Sequence, residues 1–219
     1  MPILSLQNKQ RKWAFFMIHH LFGRLFVSIG LALLLSVGYS FWQFGEDCGQ
    51  LREDVFRLHV LAASDSEEDQ SLKYLVRDAI VEKTGDLFAA ADSAADAKSI
   101  AEDSLTELEA IATQTLRDHG SDDSVHAEVT HMYFTTRDYE NFSLPAGEYD
   151  ALRIVIGEGE GHNWWCVLYP SLCLPCAVPE EELEALSEEE ADVISNPDDY
   201  RLRFAAVDLW ESIRHHFAS

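Results

Sequence analysis

Apolar and polar positions follow two regimes that meet near residue 45. From Leu25 to Gly45, LFVSIGLALLLSVGYSFWQFG, 21 consecutive residues carry no charge. As a helix such a run is long enough to span the hydrocarbon core of a bilayer, roughly 30 Å thick. Beyond it the apolar residues recur with short periods. VFRLHVLA, residues 55–62, places Phe56, Leu58 and Val60 on one face and Arg57 and His59 on the other, which predicts a strand. Ser64, Asp65 and Ser66 follow as candidate N-caps, and Glu67, Glu68 and Asp69 suit the positive end of a helix dipole. Leu72, Leu75, Val76, Ala79 and Ile80 then share a helical face, with Gly85 as the expected stop. A second helix is predicted over 93–118, with Ile100, Leu108, Ile111, Ala112 and Thr115 inward and His119-Gly120 ending it.

Residues 125–135 alternate again, with Val125, Ala127, Val129, His131 and Tyr133 pointing one way. Residues 138–149 read as a connection centred on Pro145-Ala146-Gly147. Leu152 to Ile156 is expected as a short strand buried on both faces. Gly157 to Gly161 reads as a turn and Trp164 to Tyr169 as the returning strand, so these last two strands are expected to form a hairpin. Residues 177–200 are acidic with sparse apolar positions at Leu183, Leu186, Ala191 and Ile194, which suggests an exposed helix and a linker. Helical spacing returns from Arg201 to Phe217, with Leu202, Ala205, Ala206, Leu209, Trp210, Ile213 and Phe217 expected to pack on the sheet. This order of elements predicts an α+β fold: a small, mostly antiparallel or mixed sheet packed by helices, preceded by one N-terminal membrane-spanning or signal segment. The expected organisation is a basic N-terminus (1–24), the apolar segment (25–45), a folded domain (46–176), an acidic linker (177–200) and a C-terminal helix (201–219).

Charge sharpens this division. The 219 residues carry a net charge of −23, yet residues 1–45 hold four basic groups, Lys9, Arg11, Lys12 and Arg24, and no acidic one. Residues 46–219 therefore carry −27. Such a domain repels phosphates, which argues against nucleic-acid binding. The basic flank belongs on the cytoplasmic side, which puts the domain outside, with Tyr39, Phe41, Trp42 and Phe44 at the outer interface. The apolar segment is either an uncleaved anchor or a signal peptide cut after a small residue such as Gly38 or Ser40.

Candidate chemistry is sparse. Gly157, Gly159 and Gly161 form G-x-G-x-G, which is neither a dinucleotide fingerprint nor a P-loop, and Glu158 and Glu160 would repel phosphate. Cys173 and Cys176 form a C-x-x-C pair, but a helix starting near Pro179 comes too late to activate a thiol, and nearby glutamates raise its pKa. His162, Cys166, Cys173 and Cys176 do not have the spacing of a standard zinc site. His59 with Ser64 or Asp65, and Cys166 with His131 or His162, lack a nucleophile-elbow signature. Thus no catalytic residue, metal or cofactor is expected. The alternative class is an extracytoplasmic thiol-dependent enzyme, redox or hydrolytic, using Cys166, Cys173 or Cys176. Four cysteines, Cys48 with these three, allow three pairings. Trp164 and Trp165 project to opposite faces of a strand, one towards the core and one available as a contact.

Two stretches, FRLHVLAASDSEEDQSLKYLVRDAIVEK (56–83) and LPAGEYDALRIVIGEGEGHNWWCVLYPSLC (144–173), resemble the stage II sporulation protein R family. The resemblance implies a signalling protein of endospore-forming bacteria, not an enzyme. Such proteins are secreted from the forespore into the space between forespore and mother-cell membranes, or are anchored facing it. There they activate a membrane-embedded aspartic protease that cleaves the precursor of sigma-E. The resemblance also favours a Cys166–Cys173 disulfide. The expected partner-binding residues are Asp65 and Gln70 in the first motif, or Glu158, Asn163, Trp164 and Trp165 in the second.

Overall fold

The computed structural model describes residues 3–139, 143–170, 186–195 and 197–218. The chain divides into two compact units, Met1–Gly45 and Glu46–Ser219. Helix α1, Ile3–Glu53, makes up the described part of the first unit and supplies the opening turns of the second. From Gly23 onward it is long and apolar enough to cross a membrane, and most side chains between Leu25 and Trp42, Phe26 and Leu34 among them, are exposed, whereas Phe44, expected at the outer interface, is buried. A long apolar helix with this exposed stretch fits the membrane or signal segment expected from the sequence.

In the second unit β1 (Phe56–Leu61) leads into α2 (Glu67–Phe88) and α3 (Ala94–Asp118). Then come β2 (Val125–Phe134), the short pair β3 (Arg137–Asp138) and β4 (Ser143–Leu144), β5 (Gly147–Ile156) and β6 (Asn163–Tyr169). Helices α4 (Glu188–Ser195) and α5 (Pro197–Ala218) complete it. The main sheet has the order β2-β5-β1-β6, with β1 parallel to β5 and the outer pairs antiparallel. This is the mixed sheet with packed helices of an α+β protein.

The two faces of the sheet differ. Phe56, Leu58, Val60, Leu152, Ile154, Cys166 and Leu168 face the helices, where Leu72, Val76, Ile80, Ala97, Ala101, Leu108 and Ala112 meet them. A second cluster gathers Leu51, Val55, Phe134, Leu144, Tyr149, Ala151, Val167 and Leu186. The alternation in β1 therefore does not separate inside from outside. All six of its residues are buried, Arg57 and His59 included, because β1 is central and both faces are covered.

The expected hairpin is not formed. β5 and β6 each pair with β1, which lies between them. The glycine turn crosses the end of β1, where the Gly161 and Glu160 N–H groups donate to the carbonyls of Ala62 (3.0 Å) and Ala63 (3.3 Å). Neighbourhood in sequence gave the hairpin reading, and a buried apolar strand displaced it. Two boundaries and one side-chain direction also move. β5 starts at Gly147, not Leu152. Helix α2 runs through Gly85 to Phe88, whose ring meets Phe56 edge-on at 6.1 Å. His131 is exposed on β2 and bonds Asp150 at 3.0 Å. Within the acidic stretch, Leu186, Glu190 and Val193 are buried. Ser187 and Glu190 form a reciprocal capping box at the start of α4.

The C-terminal helix also departs from expectation. Among its described side chains the buried ones are Phe204 and Glu211, while Leu209, Trp210, Ile213 and Phe217 are exposed, and Leu202 lies outside the described side chains. Specific polar bonds hold its other face, so the apolar spacing marks the outer side.

One carboxylate pair sets a pH dependence. Burial, and then the Glu190 carboxylate, raise the Asp54 pKa above its usual value. Among the described residues Glu190 Oε1 has no hydrogen-bond partner. A raised carboxyl pKa means that folding takes up a proton. Stability is fullest below the unfolded value and falls as pH rises through the folded one. Asp54→Asn supplies an amide donor without charge. It should raise Tm by a few degrees at pH 7 and flatten the decline between acid and neutral pH in a thermal melt. Asp54 is partly exposed, so the gain stays below about 1 kcal/mol.

Candidate functional site

The site is built where β1 ends. Ser64 lies in the bend between β1 and α2, and its Oγ accepts the Ser66 N–H at 3.1 Å and donates to the Asp69 carboxylate. Ser66 caps α2 by accepting the Asp69 N–H at 3.0 Å. The Gln70 amide turns back to donate to the Ser64 carbonyl at 2.9 Å. Its oxygen accepts from Lys73 Nζ at 2.6 Å, and Lys73 also donates to the His162 carbonyl at 3.1 Å. Lys73 is buried, and desolvation lowers its pKa below the usual lysine value.

Asp65 joins the second motif directly. Its Oδ1 accepts the His162 backbone N–H at 2.7 Å and also contacts His162 Nδ1. Asp65 and Gln70 thus stand beside the Gly157–Trp165 segment, and the two stretches singled out in the sequence form one surface. Gly157 and Gly159 turn with φ of 58° and 67°, where side chains are strained. Glu158 and Glu160 are exposed on that turn, as are Asp65, Glu67 and Glu68 across from it. Beside this acidic rim Trp164 meets Tyr74 edge-on at 5.4 Å and lies under the Arg77 guanidinium at 4.5 Å. Tyr74 and Leu75 are exposed, so an aromatic patch adjoins the acidic one.

Trp165 takes the other face. It stacks on His59 with ring centroids 3.9 Å apart and meets Phe134 edge-on at 4.9 Å. Both tryptophans are half-buried, one on each face of the sheet. Asn163, exposed, reaches back to bond His59 Nε2 at 2.8 Å. Burial lowers the His59 pKa to about 4, so the ring is neutral at physiological pH. Arg57, fully buried, sits over Phe134 at 4.0 Å and Tyr149 at 4.8 Å and donates to Tyr139 Oη at 2.8 Å. Arg57, Lys73 and Tyr139 belong to no motif that marks them as site residues in the sequence. The alternating Arg and His of β1 were the available signal, since charged positions in a central strand must find partners on the second face.

Cys166 is buried and disulfide-bonded, and Cys48 is free and buried. Cys173 and Cys176 lie outside the described residues, and with them the Cys166–Cys173 pairing. Among the described residues no group of three or more His, Cys, Asp or Glu side chains could hold a metal ion.

No solved structure matches the chain. A sequence match is found to the stage II sporulation protein R of Bacillus subtilis (strain 168), 35% identical over 147 residues. The match covers 65% of this chain and 66% of that protein. The family model for stage II sporulation protein R matches residues 52–178, which takes in β1, the glycine turn and every residue of the Asp65–His162 junction. With the match spanning more than half of its length, the chain belongs to the stage II sporulation protein R family.

Proposed function

We propose that the chain is a sporulation signal protein that acts by binding. It is held in, or exported across, the forespore membrane. Outside, it binds a membrane-embedded aspartic protease and favours its active state, so that the sigma-E precursor is cut in the mother cell. The observation that carries this reading is the Asp65–His162 junction, which fuses two motifs 97 positions apart into one exposed, acidic and aromatic surface. Asp65, Gln70, Glu158, Asn163 and Trp164 are the residues assigned to the contact. Trp165 supports them from the opposite face through His59. A ligand of this kind works by differential affinity for two states of its receptor. Attachment to a membrane would raise its effective concentration near a receptor in the facing membrane.

The test is reconstitution. The chain, a candidate protease of this type and the sigma-E precursor are expressed in a non-sporulating host, and the shortened factor is followed on a blot. Cleavage is expected only when the chain is exported. Asp65→Ala is expected to cut processing about tenfold or more, as loss of a contact-centre residue does. It should lower Tm by only a few degrees, because Asp65 is exposed yet gives up its bonds to His162. Asp103→Ala, on the exposed side of α3, should do neither. Unchanged processing by the Asp65 variant would remove this surface from the contact. As a disulfide, Cys166 offers no thiolate. A Cys166→Ser chain that folds normally yet fails to act would favour the thiol-dependent enzyme instead.

A further inference from the structure

Helix α5 is amphipathic in the reverse sense for a domain in water. Its docked face carries Phe204, Asp208, Glu211 and His215, at the i, i+4, i+7, i+11 spacing of one helical side. Asp208 accepts from Thr136 Oγ1 at 2.5 Å, and Glu211 lies 3.5 Å from Arg52. His215 lies 3.4 Å from Glu148 and stacks on Tyr133 at 4.6 Å. At roughly 100° per residue, Leu209, Trp210, Ile213 and Phe217 fall on the opposite side. They are 64%, 62%, 44% and 84% exposed. A helix in a soluble domain turns such a stripe towards the core. Here the polar pairs fix the helix the other way round.

We propose that this face rests on the lipid bilayer that holds the 25–45 segment, so that α5 is an interfacial helix and a second point of membrane contact. Three observations favour lipid over a protein partner. The first is position. Glu211 is paired with Arg52, and Arg52 belongs to the helical turns that open the domain at Glu46. Six residues of helix are about 9 Å. Glu46 follows directly on the uncharged stretch, so the docked side of α5 is tied close to the point where the chain leaves the apolar segment. The second is composition: a Trp, a Phe and two aliphatic residues form the stripe, as in helices that lie in the headgroup boundary. The third is charge. In a domain carrying −27, the stripe contains no carboxylate, and the charged or titratable residues flanking its C-terminal end are Arg214 and His216. Arg214 lies 3.4 Å from Glu211 yet stays more than half exposed, so its guanidinium remains within reach of headgroups while its stem stays with the apolar surface.

The inference rests on residues 25–45 being inserted in the membrane, and the test separates the two claims. The full chain is reconstituted in neutral phosphatidylcholine vesicles, and resistance to alkaline carbonate extraction reports the insertion. Ile213→Cys is then labelled with an environment-sensitive fluorophore, as is Glu82→Cys, an exposed position on α2. Labelled wild type corrects for the native cysteines. The expected result is a blue-shifted probe at 213, quenched by lipids with spin labels near the headgroup and several-fold less accessible to aqueous iodide than the probe at 82. A carbonate-resistant chain whose 213 probe is quenched by iodide and not by lipid would overturn the docking alone. So would a probe shielded from both, since a second copy or another protein surface would then cover the stripe. Extraction by carbonate would overturn the insertion and the docking with it.

Discussion

Gly161→Ala is expected to cost about 3 kcal/mol or more and to lower Tm on the order of 10 °C. A Cβ at this position would stand 2.2 Å from the Ser64 carbonyl oxygen and 2.6 Å from its carbon. Both are backbone atoms that cannot swing away. The Gly161 N–H is bonded to Ala62, and the Ser64 carbonyl accepts from Gln70, so relief in either direction breaks a hydrogen bond of the site. The Asp65–His162 bond lies one residue further along on each strand, and it should loosen as the turn lifts from β1. Gly85→Ala is the matched control. Gly85 lies in α2 with no atom within 4 Å of the added carbon. Removing a helical glycine there should stabilise by about 0.5–1 kcal/mol. Thermal melts of the two variants should therefore move in opposite directions. Equal, small shifts would mean that the turn does not press on β1.

That contact explains what the sequence could and could not reveal. Periodicity identified α2 and α3, because each buries one stripe, and it identified β1 because its two faces differ in residue type although both are buried. Glycine content identified the turn at 157–161, because φ near +60° excludes most side chains. Which strands the turn joins depends on β1, about 100 positions earlier, and no local pattern records a strand lying between two others. The same limit hid the unity of the site. Asp65 and Gln70 were legible as one motif and Glu158 to Trp165 as another, but their meeting is set by the order β5-β1-β6. For α5 the spacing gave the helix and misplaced its buried face. Apolar residues normally point inward, and the partners that hold this helix, Arg52, Thr136 and Glu148, are polar groups on three separate elements.

Arg57→Ala is expected to be the most damaging change on the second face, at about 3–5 kcal/mol, because it empties a fully buried, large side-chain site. Arg57→Met should be far milder, within about 2 kcal/mol of wild type, for reasons of balance. The guanidinium gains from two aromatic faces, Phe134 and Tyr149, each worth about 2 kcal/mol when desolvated. It also gains from its bond to Tyr139. Against this, its Nε and Nη1 groups have no hydrogen-bond partner among the described residues. Each buried, unsatisfied donor costs about 1–3 kcal/mol. Methionine removes both sides of this account while keeping an unbranched, polarizable chain against the same rings. Activity follows from the packing. His59, two positions on, is stacked on Trp165 and bonded to Asn163 at the edge of the candidate surface. A filled site at 57 should therefore keep that surface in place, so under the proposed function the Met variant should still support precursor processing and the Ala variant should fail as it unfolds. Denaturant titration beside the processing blot checks both. A Met variant that folds as well as wild type but does not signal would place the positive charge of Arg57 in the function and not only in the core.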